Sequence, residues 1–310
     1  MRAVFDMMKL ETTSIFKNLK GSGSLTEVDD QKLAELKKTI LGIADDVIGV
    51  CEENNISYHL TGGSALGAVR HHGFIPWDDD MDLDMERKDV ARFLRAFRAK
   101  YGKKYWIHCD SSAEQFCIPC IQIRKKGTVC RGVLDAVGKE CGIYIDIAII
   151  ENTYNNPILR KIHGVGSLFF GLCVSCRRFY RDRKYLLSLT DDPEAVKVFK
   201  TKIAVGRLLS PVSLRKWTKM YSKWNSMCRD GKTKYVTVPT GRNHFFREMY
   251  LRRDFCEYTR TDFEGRNWKI PRNYDKYLTH MYGNYMEIPK ESKREKHVLL
   301  ELDFGRSKLK

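Results

Sequence analysis

A chain of 310 residues with 43% hydrophobic content can bury a sizeable core in one large domain or two. Its first twenty residues, MRAVFDMMKLETTSIFKNLK, mix apolar and charged side chains too finely for a signal peptide, and the ten cysteines are scattered, which points to a cytoplasmic protein with reduced thiols and argues against a disulfide scaffold. The formal net charge of +16 is lopsided: residues 1–150 carry 21 Lys plus Arg against 22 Asp plus Glu, and residues 151–310 carry 34 against 17, so an attraction for polyanions belongs to the second half.

From Thr26 to Cys51, Leu33, Leu36, Ile40, Ile43, Val47 and Val50 recur at helical spacing, with Thr26 or Ser24 as the cap and Asn54-Asn55 as the stop. A short strand, 56–61, then leads into Gly62-Gly63-Ser64. Ser64 to Arg70 is helix-compatible, so this turn opens a helix whose first N–H groups can cradle a phosphate. Five aspartates follow within seven positions: Asp78, Asp79, Asp80, Asp82 and Asp84. Asp80, Asp82 and Asp84 alternate with Met81, Leu83 and Met85, a period of two that lines three carboxylates on one face of a strand and packs the other face inward. Gathered carboxylates suit a hard cation, because magnesium prefers oxygen ligands and takes one or two protein carboxylates plus substrate phosphates. A solvated acidic loop is the plainer reading. A calcium loop of EF-hand type beginning at Asp78 fails at its sixth position, Leu83, and at its twelfth, Asp89.

An amphipathic helix over 88–100 buries Val90, Phe93, Leu94 and Phe97. Residues 104–150 read as strands at 105–109, 118–124 and 143–150. In the last, Asp146 is the sole charge in the apolar run IYIDIAII, an expensive placement unless it is paired or binds a metal. Cys117 with Cys120 and Cys173 with Cys176 form two CxxC pairs, for which structural zinc is a competing reading.

From 156 to 229 the chain reads as helical and basic, with a break at Asp191-Asp192-Pro193 and a helix start at Ser210-Pro211. The apolar run 165–176 is too short to span a bilayer. Followed by Arg177, Arg178, Arg181, Arg183 and Lys184, it is either a helix packed on the core with a solvated basic face or a basic element lying in a membrane interface. The last segment contains a strand over 235–238, a hairpin turning at Glu264-Gly265 and a helix over 274–282 ending at Gly283. Its tyrosines 274, 277, 282 and 285 are mostly core, although aromatic faces can receive a quaternary ammonium.

The stretches GGSALGAVRHHGFIPWDDDMDLDM, GIYIDI at 142–147 and FEGRNWKIPRNYDKYLTHMYGNYMEIP at 263–289 together resemble the LicD family, related to the fukutin-type phosphotransferases. The resemblance implies an α+β, nucleotidyltransferase-like mixed sheet with flanking helices. It divides the chain into a catalytic core at 1–155, a basic helical region at 156–235 and a C-terminal segment at 236–310 that completes the family domain. The implied activity is magnesium-dependent transfer of a phosphorylated alcohol, phosphocholine or similar, from a CDP-linked alcohol donor to a hydroxyl of a cell-surface glycan. By that analogy Asp80, Asp82 and Asp146 are catalytic, and the metal (Mg2+, with Mn2+ as substitute) is held by these three and Asp78. Asp146 either completes the metal site or takes the proton of the attacking hydroxyl.

Gly62, Gly63 and Ser64 orient the donor phosphates, and Arg70 neutralises charge on the leaving CMP. Asp79 points away and Trp77 packs. The expected acceptor is an anionic or lipid-linked glycan, reached in the cytoplasm or at the inner face of the cell membrane through a peripheral contact. Two other classes stand beside this reading. A nucleotidyltransferase acting on nucleic acid or protein would explain the basic half but has no RNA-binding module here, so nucleic acid is disfavoured. A non-catalytic basic binding protein would leave the aspartate set without purpose.

Overall fold

The computed structural model describes residues 28–135, 138–291, 294 and 299–305. The N-terminal twenty residues read above, and the caps proposed at Ser24 and Thr26, lie outside them. Helix α1 (Asp30–Glu53) is capped by Asp29, whose carboxylate accepts from the Lys32 N–H. It stops at Asn54, after which Asn55 takes a left-handed φ of 51°. The chain continues through β1 (Tyr58–Leu60), α2 (Gly62–His71), β2 (Asp82–Glu86), α3 (Arg87–Tyr101), β3 (Tyr105–His108), β4 (Ile121–Lys125), β5 (Val129–Gly132) and β6 (Tyr144–Thr153).

Helices α4 (Pro157–Arg181), α5 (Arg183–Leu187), α6 (Pro193–Leu208) and α7 (Leu214–Asn225) follow. The rest comprises β7 (Tyr235–Thr237), α8 (His244–Arg247), β8 (Met249–Leu251), α9 (Arg252–Phe255), the hairpin β9 (Tyr258–Phe263) and β10 (Arg266–Pro271), α10 (Tyr274–Tyr282), and β11 (Leu299–Asp303). The hairpin turns at Glu264-Gly265, both with positive φ, and α10 ends at Gly283.

Seven strands form one mixed sheet in the order β1-β2-β6-β4-β3, with β7 on the far end of β6 and β8 beside it. Only the β2–β6 pair is parallel among these strands; the other neighbours are antiparallel. Strand pleating gives this sheet two chemically distinct faces. Leu60, Leu83, Met85, Ile121, Ile123, Ile145, Ile147 and Ile149 lie on one and are buried. They share a core with Leu36, Ile40, Ile43 and Val47 of α1 and Phe93 and Phe97 of α3. Leu94 is only half-buried, short of the burial its spacing suggests. The other face carries His59, Asp82, Asp84, Gln122, Arg124, Tyr144 and Asp146.

The main core also takes in Val236, Tyr250, Phe255, Phe263, Trp268, Tyr277 and Leu278 from the C-terminal segment. Helices α4–α7 build two further clusters. One joins Cys173, Val174, Trp217 and Tyr221 to Cys117, just ahead of β4, and the other joins Phe179, Leu186 and Phe199 to Val133. Helix α7 starts three residues later than Ser210-Pro211 suggests, because the Ser213 hydroxyl accepts from the Lys216 N–H while Ser210 still closes the end of α6.

Candidate active site

The site grows from the parallel pairing of β2 and β6, which sets Asp82 directly opposite Asp146. Neighbouring strands lie about 4.8 Å apart, so the two carboxylates rise side by side from the polar face although 64 positions separate them in sequence. Asp146 is half-buried, more open than its apolar neighbours in sequence suggest, because Ile145 and Ile147 point to the opposite face. Asp84 follows two residues along the same face and is only 1% exposed.

The Gly62-Gly63-Ser64 turn is stitched to the first residue of β2. Asp82 N–H donates to Ser64 Oγ at 2.9 Å, and Thr61 N–H donates to the Asp82 carbonyl at 3.1 Å. The Ser64 side chain therefore straps the acidic strand. Gly62 adopts φ +53° and gives its N–H to Tyr277 Oη at 2.8 Å, which also meets Thr61 Oγ1 at 2.6 Å. A Cβ on Gly62 would lie 3.5 Å from Asp82 Oδ2, and one on Gly63 would lie 2.7 Å from Asp78 Oδ2. The glycines thus admit two carboxylates to the N-terminus of α2, where the helix dipole favours negative charge.

Asp80 precedes β2 and, with Asp79, lines a small cavity closed by Leu36, Ile40, Cys130, Ile143, Tyr144 and Leu299. Lys37 ties down the acidic loop by donating to the carbonyls of Ile75 and Pro76. Burial holds the Lys37 pKa below its ordinary value, against the opposing pull of Asp78, Glu264 and Asp79. Trp77 packs under Arg294, whose guanidinium lies 4.3 Å from the ring centroid.

Arg70 sits at the far end of α2 and donates to the carbonyls of Tyr285 and Glu287, so it anchors the loop after α10. The four arginines after the apolar run are likewise drawn into the protein and form no solvated basic face. Arg177 donates to the carbonyls of Val212 and Gly206, Arg181 pairs with Asp182, Arg183 stacks on Tyr180, and Arg178 is half-buried.

Three further groups, Asp84, Tyr277 and Tyr282, stand at this site. Burial pushes the Asp84 carboxyl well above the usual range, with Glu248 adding to the shift and Thr61 opposing it. Tyr282 brings its hydroxyl near Gly62, and burial followed by the charges of Asp82, Asp78 and Asp80 pushes its pKa up. Asp84 was legible from its alternation with Asp80 and Asp82, whereas Tyr277 and Tyr282 sit about two hundred positions away and only folding brings them in.

Among the described residues no three His, Cys, Asp or Glu side chains converge at metal-ligand spacing, and this holds for the CxxC pairs as well, where Cys117 and Cys173 sit in an apolar cluster. The donor set at the acidic face nonetheless fits magnesium. It is all oxygen, with two carboxylates in register, and magnesium characteristically completes its shell with water and substrate phosphates.

Residues 55–115 match the family model for the LicD/FKTN/FKRP nucleotidyltransferase domain. The chain is 27% identical over 275 residues to the lipopolysaccharide cholinephosphotransferase LicD of Haemophilus influenzae, covering 87% of this chain and 97% of that protein. Over 56 residues it is 52% identical to the mouse and human ribitol 5-phosphate transferase FKRP, covering 18% of this chain and 11% of each relative. With a domain match centred on the glycine turn and acidic strand, and similarity running nearly end to end with one relative, the chain carries a LicD-type nucleotidyltransferase domain and is similar to the LicD-type phosphotransferases.

Proposed function

We propose that the protein transfers a phosphorylated alcohol from a CDP-linked donor to a glycan hydroxyl, with magnesium held at the polar face of the sheet. The observation that carries this reading is the in-register pair Asp82–Asp146 beside the Gly62-Gly63 turn. Asp82 and Asp146 would hold the ion, with Asp80 and Asp78 next to them and manganese as a substitute. Bound there, the cation supplies charge neutralisation for the donor pyrophosphate. The spacing of facing residues suits one shared ion, which favours Asp146 as a ligand over Asp146 as the base.

The chain's own groups do the positioning. The α2 amides of Gly63 and Ser64 lie in the first turn, have no i−4 partner in the helix and would hold the donor phosphates. The Tyr282 hydroxyl, kept protonated by its surroundings, is a hydrogen-bond donor at the same turn. The glycan hydroxyl forms the new bond to the phosphorus that bears the alcohol, the bond from that phosphorus to CMP breaks, and the hydroxyl proton leaves to solvent or to a site carboxylate.

The test is CMP release from CDP-choline, CDP-ribitol and CDP-glycerol by the full chain, with and without a panel of glycans. Acceptor-dependent release that stops with chelator and returns with Mg2+ or Mn2+ supports the reading. Pyrophosphate release from a nucleoside triphosphate, with nucleotide appearing on nucleic acid or protein, would replace it with nucleotidyl transfer.

A further inference from the structure

Helix α4 is 25 residues long and apolar enough in length and composition to cross a membrane, yet only its flanks are packed. On one flank His163 meets Thr153 Oγ1 and the Trp224 carbonyl, and Gly166 and Gly171 lie against Trp224 and Tyr221 of α7. Toward its C-terminal end the helix is covered by α6, where Gly206 packs on the Cys176 backbone. What remains open is a stripe on the first half of the helix: Ile158 at 69% exposure, Ile162 at 55%, Val165 at 38% and Phe169 at 50%, with Leu159 beside it. The 4-3-4 spacing aligns the first four on one face. Phe246 of α8, itself exposed, extends the patch, since its ring lies against the Gly164 position.

The helices that bear and flank this patch carry one sign of charge. Lys161 on α4, Lys219 and Lys223 on α7 and Arg247 on α8 are all exposed, and none of these three helices contains an Asp or Glu. An apolar stripe on helices whose charges are all cationic complements acyl chains beneath anionic headgroups. We infer that this face docks the protein onto an anionic bilayer, with α4 lying in the plane of the headgroup boundary. The helix lies on the bilayer and does not cross it, because its packed flank is committed to α6 and α7. This inference uses no feature of the acidic site and stands independently of the proposed reaction.

Flotation of the full chain with vesicles of phosphatidylcholine, and of phosphatidylcholine mixed with phosphatidylglycerol, tests it. The wild type is expected to float with the mixed vesicles and far less with phosphatidylcholine alone. The pair Ile162→Glu and Phe169→Glu should lower the floated fraction by about tenfold, and Lys219→Glu with Lys223→Glu should weaken binding with a loss of its salt dependence. These positions are exposed, so an unchanged circular dichroism melt is expected and shows that a lost signal is not unfolding. The inference is overturned if the wild type stays with the unbound fraction, if the apolar pair floats as well as the wild type, or if sedimentation shows the stripe closed in a dimer that the variants dissociate. CMP release with a short soluble acceptor should be the same in all these variants, so failure at the vesicle leaves the proposed reaction untouched.

Discussion

Asp82 and Asp146 stand opposite each other at the edge of solvent, and replacing either by Asn keeps the shape while removing a charge the proposed ion needs. Either substitution should lower turnover on the order of 10²–10³-fold, the scale for losing one electrostatic contact in a transition state. The melting temperature should hold or rise, because a like-charge pair is relieved. Retained turnover in both variants at saturating Mg2+ would sink the metal assignment. A second residue, His59, tests the polar face away from the ions. Its ring is buried edge-on against Phe255, 4.8 Å between centroids, and burial lowers its pKa from 6.5 to about 4, with the Leu60 and Phe255 carbonyls opposing.

The folded state thus holds His59 neutral while the unfolded chain protonates it. Its contribution is present above pH 6.5 and is lost as pH falls toward 4, an effect on the order of 3 kcal/mol. Urea midpoints across that range should fall less steeply in His59→Leu than in the wild type; identical slopes would show that other groups carry the acid response. The two residues differ in how readily they are read. Asp82 announces itself by alternation with apolar neighbours, whereas nothing adjacent to His59 in sequence shows that Phe255 will cover it.

At the scale of elements, the sheet is held by α1 and α3 on its apolar face, and Phe97 is fully buried among Phe93, Tyr101 and Tyr105. Phe97→Ala should destabilise the fold by about 3–5 kcal/mol, read as a shifted urea midpoint with an unchanged slope. A cost below 1 kcal/mol would mean that the aromatic cluster collapses into the space. Local chemistry made most elements legible: alternation gave β2, an apolar run gave β6, helical periodicity gave α1 and α3, and Glu264-Gly265 gave the β9–β10 turn. Pairings between distant segments were not legible. Strand β5 joins β11 across about 170 positions, and neither has enough alternation to announce a partner. The start of α7 shifted because Ser213 is the serine whose hydroxyl meets a backbone N–H, a contact that composition does not disclose.

At the scale of the whole molecule, the basic excess of the second half divides into charges spent inside and charges left outside. Arg177 belongs to the first group. It is 8% exposed, and its Nε and Nη1 reach the carbonyls of Val212 at 3.2 Å and Gly206 at 3.3 Å, holding α4 to α6 and to the segment that leads into α7. Arg177→Met keeps the length of the side chain but leaves two carbonyls short of a donor in a poorly hydrated seam. It should cost about 1–3 kcal/mol. Because this guanidinium faces the interior, the variant's acceptor KM and its salt dependence should match those of the wild type. A surface charge engaged with a polyanion would show the reverse, unchanged stability with weaker and less salt-sensitive acceptor use. Denaturation midpoints measured beside acceptor titrations at two salt concentrations separate the outcomes, and a variant with wild-type stability but impaired acceptor use would place Arg177 in the acceptor path.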